Sequence, residues 1–349
     1  MAMAVPDELA GLRRGLGRNG LPIPAYRTLG AGFRSATPGA AVFRLPVSGH
    51  LTTPDGSLLP GAFAVVADAC CGSAVASAMP AGAAALTAQL RVEFLRPAPP
   101  GQAWIEGRAE ADAVDGDGGL GRGEIVDEAD QLLGVASLRL MTASHPGSGA
   151  AAARASAAQD TAVQAAAVPA TPLLPAPAAP APGPGAPASA VPAAPAAPAA
   201  GDSIDCGGLP PLGAERRSGG PGGRPPGPAE FLGVVSRLAV AGRSAWTLRP
   251  SPGTANSFGM VHGGVLGLLA HQVASDAQKS LIGPGEQLIP LDLVVNFYRG
   301  VPAAGRLITA AAQVAHRGRR FVVAEGTVTG PDGKPALRLS AGAQVRGPR

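Results

Sequence analysis

The same order of elements is written twice in this chain, and that internal repeat restricts the fold more than any other feature. In the first pass a strand-like stretch, AAVFRLPV, leads into the loop LTTPDGSLLPG and then into a long apolar helix, AFAVVADACCGSAVASAM. An alternating strand follows, LTAQLRVEFLRP, and then strand-like pieces around QAWIEGRAEA, GRGEIVDEADQ and LLGVASLRLMTAS. The second pass runs SAWTLRPS, GTANSFGMVHGG, VLGLLAHQVASDAQKS and IPLDLVVNFYRG, then RLITAAAQVAHRGRR, FVVAEGTVTGPDG and PALRLSAGAQV. The PDG between the last two strands is a hairpin signal. One buried helix wrapped by a meander of strands is an α+β layer. A lone copy would leave a sheet edge and an apolar helix face uncovered, and pairing the copies covers both.

Between the copies, from about Ser144 to Glu230, the sequence is of low complexity, with an Ala/Pro-rich core from Ala165 to Ala200. It has nothing to bury, so it reads as a disordered or partly polyproline tether. The expected organisation is a first domain over 20–144, a linker over 145–229 and a second domain over 230–349. Each domain is the size of one small core. A formal net charge of +4 with scattered arginines argues against nucleic acid as the main partner. Cys70, Cys71 and Cys206 show no metal-ligand spacing, so neither a metal nor a redox cofactor is expected. Asp7 and Glu8 precede any apolar run, which does not read as a secretory signal, and the expected location is the cytoplasm. Leu59 to Met79 has the length of a membrane span with a single charge, Asp68. Its Ala, Gly and Ser content suits a helix buried in protein, and no membrane partner is expected.

At the loop and helix of the second copy, the string N-S-F-G-M-V-H-G-G, with Asn256, Gly259, His262, Gly263 and Gly264, resembles the PaaI-type hotdog thioesterases. The strand F-Y-R-G followed by P-A-A-G-R-L is similar to that family too, and the first copy matches more loosely through L-P-G, Ala67-Asp68 and F-L-R-P-A-P-P-G. The resemblance implies two hotdog domains forming an intramolecular pseudo-dimer, with central helices side by side and sites built from both halves. It implies acyl-CoA as substrate, thioester hydrolysis as reaction, and no cofactor beyond the coenzyme A of the substrate. The non-catalytic alternative on the same fold is an acyl-CoA-binding or regulatory protein. Further assembly of the pseudo-dimer is left open.

Carried over position by position, the two copies depart from the family pattern in opposite ways. The carboxylate position, nine residues after the family His, is Asp68 in the first copy and His271 in the second. The His-Gly position is Leu59-Pro60 in the first copy and His262-Gly263 in the second, and the Asn position is Thr53 against Asn256. The hydroxyl position is Thr87 against Pro290. One composite site therefore keeps Asp68, Thr87, Asn256, His262 and Gly263, while the other has lost its acid, its hydroxyl and its loop.

The resemblance assigns these groups the parts of a thioester hydrolase. The Gly263 N–H at a helix start would donate to the oxyanion, and Asp68 would act as general base or as direct nucleophile. Thr87 would orient Asp68 or the water, and Asn256 and His262 would fix the loop or the thioester. Gly264, Arg299 and Arg319 are the expected substrate-binding residues, the arginines through coenzyme A phosphates. A solubilising hairpin turn is the competing reading for the H-R-G-R-R string that holds Arg319.

Overall fold

The computed structural model describes residues 23–79, 84–143 and 227–347. The first half contains α1 (Pro24–Leu29), β1 (Gly32–Thr37), β2 (Ala40–Pro46), α2 (Ala62–Ala78), β3 (Ala84–Phe94), β4 (Trp104–Val114), β5 (Gly118–Val126) and β6 (Leu132–Ala143). The second half repeats the order with α3 (Pro228–Leu232), β7 (Val234–Val240), β8 (Arg243–Leu248), α4 (Gly263–Lys279), β9 (Gln287–Phe297), β10 (Ile308–Arg317), β11 (Phe321–Thr329) and β12 (Pro335–Arg346). The expected tether lies outside the described residues except for 227–229, where α3 has already begun at Pro228.

The twelve strands form one antiparallel sheet in the order β1-β2-β4-β5-β6-β3-β9-β12-β11-β10-β8-β7. The two hotdog halves join edge to edge through β3 and β9. Each half alone would expose that edge as unpaired N–H and C=O groups, and the pairing removes it. The joint is symmetric about Arg91 opposite Val294. Leu90 faces Val295 as Val92 faces Leu293, and Gln89 faces Asn296 as Glu93 faces Asp292. A local twofold therefore places Thr87 in correspondence with Pro290. The same register continues through the bridges Thr52–Leu58 and Ala255–Val261, which puts Leu59 with His262 and Asp68 with His271.

Helix α2 is apolar on every side because it is buried on every side. Val66, Ala69, Cys70 and Val75 are all within 1% of full burial. It packs on the first half's sheet with one face and on α4 with another. The sheet makes room with glycine: a Cβ on Gly107 would lie 2.4 Å from Val66 and 2.7 Å from the Cys70 thiol. No helix among the described residues is long and apolar enough to cross a membrane.

The helix pair is antiparallel and close. A Cβ at Gly61 would meet the Leu268 backbone at 3.1 Å, and one at Gly264 would meet the Val65 Cα at 2.6 Å. Between them, on the twofold, a Cβ at Gly267 would meet the Ala64 Cβ at 2.7 Å. Short N-terminal helices cross over: α1 covers the second half's loop, with Ala25 N–H donating to Ala255 C=O at 3.0 Å, and Phe231 of α3 stacks on His50 of the first half. The buried residues of both halves form one continuous main core.

Gly267→Val should push the helices apart at their closest point and lower stability by about 1–3 kcal/mol, the usual cost of overpacking. Urea unfolding checks it, and an unchanged midpoint would contradict so tight a contact.

Candidate active site

Asp68 sits in the second turn of α2, 8% exposed, in a setting where an unpartnered carboxylate would cost several kcal/mol. Three groups meet it. The Gly264 N–H from the first turn of α4 donates to Oδ2 at 2.8 Å, and the Thr87 hydroxyl from β3 donates to Oδ1 at 2.8 Å. The His262 Nδ1 lies 3.1 Å from Oδ2. The positive end of the α4 dipole adds to this. Helix geometry explains why two helices are needed. The amide that would start the helix carrying Asp68 lies roughly 9–12 Å back along its axis at about 1.5 Å per residue, whereas the antiparallel neighbour brings its own first turn alongside.

His262 is the N-cap of α4 and is buried. Its Nε2 is 3.0 Å from the hydroxyl of Tyr26, on α1 of the first half. Burial lowers the imidazole below its ordinary value, with Asp68 opposing, so the ring is neutral near pH 7. Burial, reinforced by Asp68, raises the Tyr26 hydroxyl, which therefore remains a donor. The Gly264 N–H points between Asp68 Oδ2 and His262 Nδ1, 3.2 Å away, and the carboxylate is both nearer and the stronger acceptor. A bare Nδ1 would set its lone pair against Oδ2. The proton is therefore assigned to Nδ1, giving a chain from Tyr26 O–H to Nε2 and from Nδ1–H to Asp68.

Gly263 is partly exposed, and its N–H meets no acceptor among the described residues. A Cβ there would lie 2.8 and 2.9 Å from the two carboxylate oxygens of Asp68, so any side chain would fill the space in front of the acid. That leaves a free helix-start amide beside a held carboxylate.

The other residues singled out in the sequence fall in different places. Asn256 does not touch Asp68. Its Oδ1 accepts from the Phe258 and Met260 N–H groups at 2.9 and 3.2 Å, closing the turn that delivers His262, with Gly259 at φ +74°. Gly264, expected to bind substrate, spends its amide on Asp68. Arg299 follows β9 at the Asp68 end and is tied to Asp332 at 3.0 Å. Arg319 is not at this site. Its turn lies against the start of β9, where Val345 N–H donates to Arg320 C=O and Val345 pairs with Leu288, beside Pro290. Thr87 and Pro290 mark opposite ends of the β3–β9 pair, roughly 25 Å apart at about 3.3 Å per residue. A turn with His and three Arg reads as a phosphate cradle from sequence, but only strand order shows which end it serves.

Sequence reasoning misses Tyr26. Its one signal there is the difference between copies, Tyr26 against Ala229 at the corresponding position. At the other end of the helix pair His271 is buried against Phe94, with ring centroids 5.4 Å apart, and its Nδ1 has no partner. Among the described residues no group of three or more His, Cys, Asp and Glu is placed to hold a metal ion.

Burial holds His271 down from 6.5 to about 4. Between those values the unfolded chain takes up a proton that the native state refuses, so stability is full above pH 6.5 and falls as pH drops towards 4. The loss from this group is about 3 kcal/mol. His262 acts in the same direction. His271→Phe should flatten the stability profile between pH 6.5 and 4 relative to the parent, and superimposable profiles would contradict this.

Residues 25–137 match the family model described as acyl-CoA thioesterase C-terminal domain, and residues 258–336 match that of the thioesterase superfamily. No curated protein sequence matches the chain significantly. Among solved structures it is similar to the acyl-CoA thioesterase II TesB2 of Mycobacterium marinum, at 15% identity and TM-score 0.51 over 93% of this chain and 98% of that one. It is similar also to a tesB protein of Mycobacterium avium subs paratuberculosis, at 11% identity and TM-score 0.51 over 92% and 98%. A hot dog fold protein of Alicyclobacillus acidocaldarius aligns at 12% identity and TM-score 0.50, over 88% and 94%. At such identities these structures share the fold. Each half is thus similar to a thioesterase family model, and the chain as a whole has the hotdog fold of these structures.

Proposed function

We propose that this protein hydrolyses acyl-CoA thioesters at one composite site, with Asp68 and Thr87 from the first half and His262, Gly263 and Gly264 from the second. The observation that carries the reading is the pairing across the two halves: a buried carboxylate with three donors, beside a helix-start amide that donates to nothing among the described residues. The PaaI-type pattern of the His262-Gly263-Gly264 loop supports the same assignment.

In this reading the thioester carbonyl oxygen lies at the Gly263 N–H, where the amide and the helix dipole stabilise the negative charge that develops. Asp68 acts as general base. Its Oδ2 already accepts from Gly264 and faces the His262 Nδ1–H, which leaves Oδ1, oriented by Thr87, as the atom that takes a proton from water. The hydroxide so formed adds to the carbonyl carbon. The tetrahedral intermediate expels the thiolate, and the proton on Asp68 passes to sulfur, leaving a free acid and a thiol. Direct attack by Oδ1 would cost the Thr87 hydrogen bond, whereas the water route keeps every donor in place. Tyr26 and His262 hold the acid rather than touching the thioester, and Asn256 holds the loop.

Asp68→Asn should lower kcat for acyl-CoA hydrolysis by about two to four orders of magnitude, the typical worth of a general base. His271→Ala should leave kcat within a few-fold. A coupled thiol-release assay measures both, and equal losses would mean that the second end also catalyses.

A further inference from the structure

The local twofold relates the Asp68 site to a second position at the other end of the helix pair, where Gly61 stands for Gly264, His271 for Asp68 and Pro290 for Thr87. At the first end the amide and the acid bond to each other at 2.8 Å. At the second end both polar groups are buried and neither is paired among the described residues. The Gly61 N–H meets no acceptor there, and the His271 Nδ1, on a side chain 5% exposed, has no partner. A buried donor or acceptor left without a partner is costly, so two at corresponding positions call for an explanation.

We propose that the His271 end is a second acyl-thioester-binding site, which holds a coenzyme A-type ligand without hydrolysing it. This rests on reading the Asp68 end as a thioesterase site. A carbonyl oxygen lodged there accepts from both the Gly61 N–H and the neutral imidazole, carrying its proton on Nδ1. The apolar wall is aromatic: Phe94 lies 5.4 Å from the His271 ring and 5.5 Å from Phe63, a setting for an acyl group. Hydrolysis fails for three reasons visible in the residues. Pro60 replaces Gly263 and has no N–H, His271 supplies no carboxylate, and Pro290 supplies no hydroxyl.

The charge around this end fits a phosphate-bearing carrier. A groove of about 480 Å³ beside the start of β9 is lined by Arg319, Arg320, Arg346, Gln344 and Glu286. Glu286 is engaged by Arg317, and no carboxylate pairs with Arg319 or Arg320 among the described residues. The corresponding turn of the first half, between β4 and β5, carries Asp115 and Asp117 instead. Guanidinium groups recognise phosphates bidentately, so the polyanionic end of the ligand prefers the His271 end of the molecule.

The test is calorimetric titration of the full chain with an S-(2-oxoalkyl) coenzyme A thioether, which keeps a carbonyl oxygen but has no thioester bond to hydrolyse, and with ADP, which has phosphates but no acyl arm. The expected result is two equivalents of thioether per chain. Arg319→Glu/Arg320→Glu should leave one equivalent and weaken the other at least tenfold. His271→Phe, which keeps the groove, should weaken that same equivalent for the thioether but not for ADP. A single equivalent in the parent, or two equivalents untouched by the arginine reversal, would overturn the proposal. So would ADP binding as tightly as the thioether, which would make the groove a plain phosphate site. Failure of the thioesterase reading shows separately, as absence of acyl-CoA hydrolysis by the parent chain.

Discussion

Everything in this molecule depends on one carboxylate reaching across a helix interface. Asp68 is buried in the middle of an otherwise apolar helix, and it is tolerated there because the first turn of the facing helix brings Gly264 N–H to 2.8 Å. That approach requires helices with almost no side chains between them, which is why Gly61, Ala64, Gly264 and Gly267 lie at the contact. Separating the halves would leave the acid with Thr87 alone, while stripping the cover from one helix face of each. Domain pairing and site assembly are thus one event, driven by apolar burial and made specific by a charge that finds two of its three partners across the interface.

The pairing is symmetric in backbone and asymmetric in chemistry. The β3–β9 ladder, the helix contact and the crossed N-terminal helices all obey the twofold. The side chains do not. Tyr26 faces His262 where Ala229 occupies the corresponding place, and the turn bearing Arg319 and Arg320 corresponds to one bearing Asp115 and Asp117. Two copies fused in one chain are free to diverge in this way, since each residue need serve only one of the two ends.

The repeat itself made most of the fold legible. Two strand–helix–meander units, each with one uncovered edge, have few ways to satisfy themselves, and joining at the strand after the helix is one. The site was legible where a residue type carries its own physics: an acid among Val65, Val66 and Ala69, and glycines at a helix start. It was not legible where the answer lies in tertiary placement. Tyr26 reaches His262 only because α1 crosses to the other half, which no periodicity announces. Arg319 belongs to a recognisable turn, yet its distance from Asp68 follows from strand order. Asn256 has a short-range role, closing its own turn, that a motif match alone does not separate from contact with substrate.

The central claim is that neither half holds a complete site, and the direct measurement is hydrolysis by the halves expressed as separate chains. Residues 20–144 carry the acid and the hydroxyl, and residues 230–349 carry the loop and the helix-start amides. Each alone, folded or self-associated, should hydrolyse acyl-CoA no faster than the Asp68→Asn chain. Mixing them should restore turnover with a saturable dependence on the concentration of the partner, at a level below the fused chain because covalent linkage, which gives an effective concentration of up to about millimolar, is lost. Substantial turnover by either half alone, or none from a mixture shown to be folded and associated, would contradict the account.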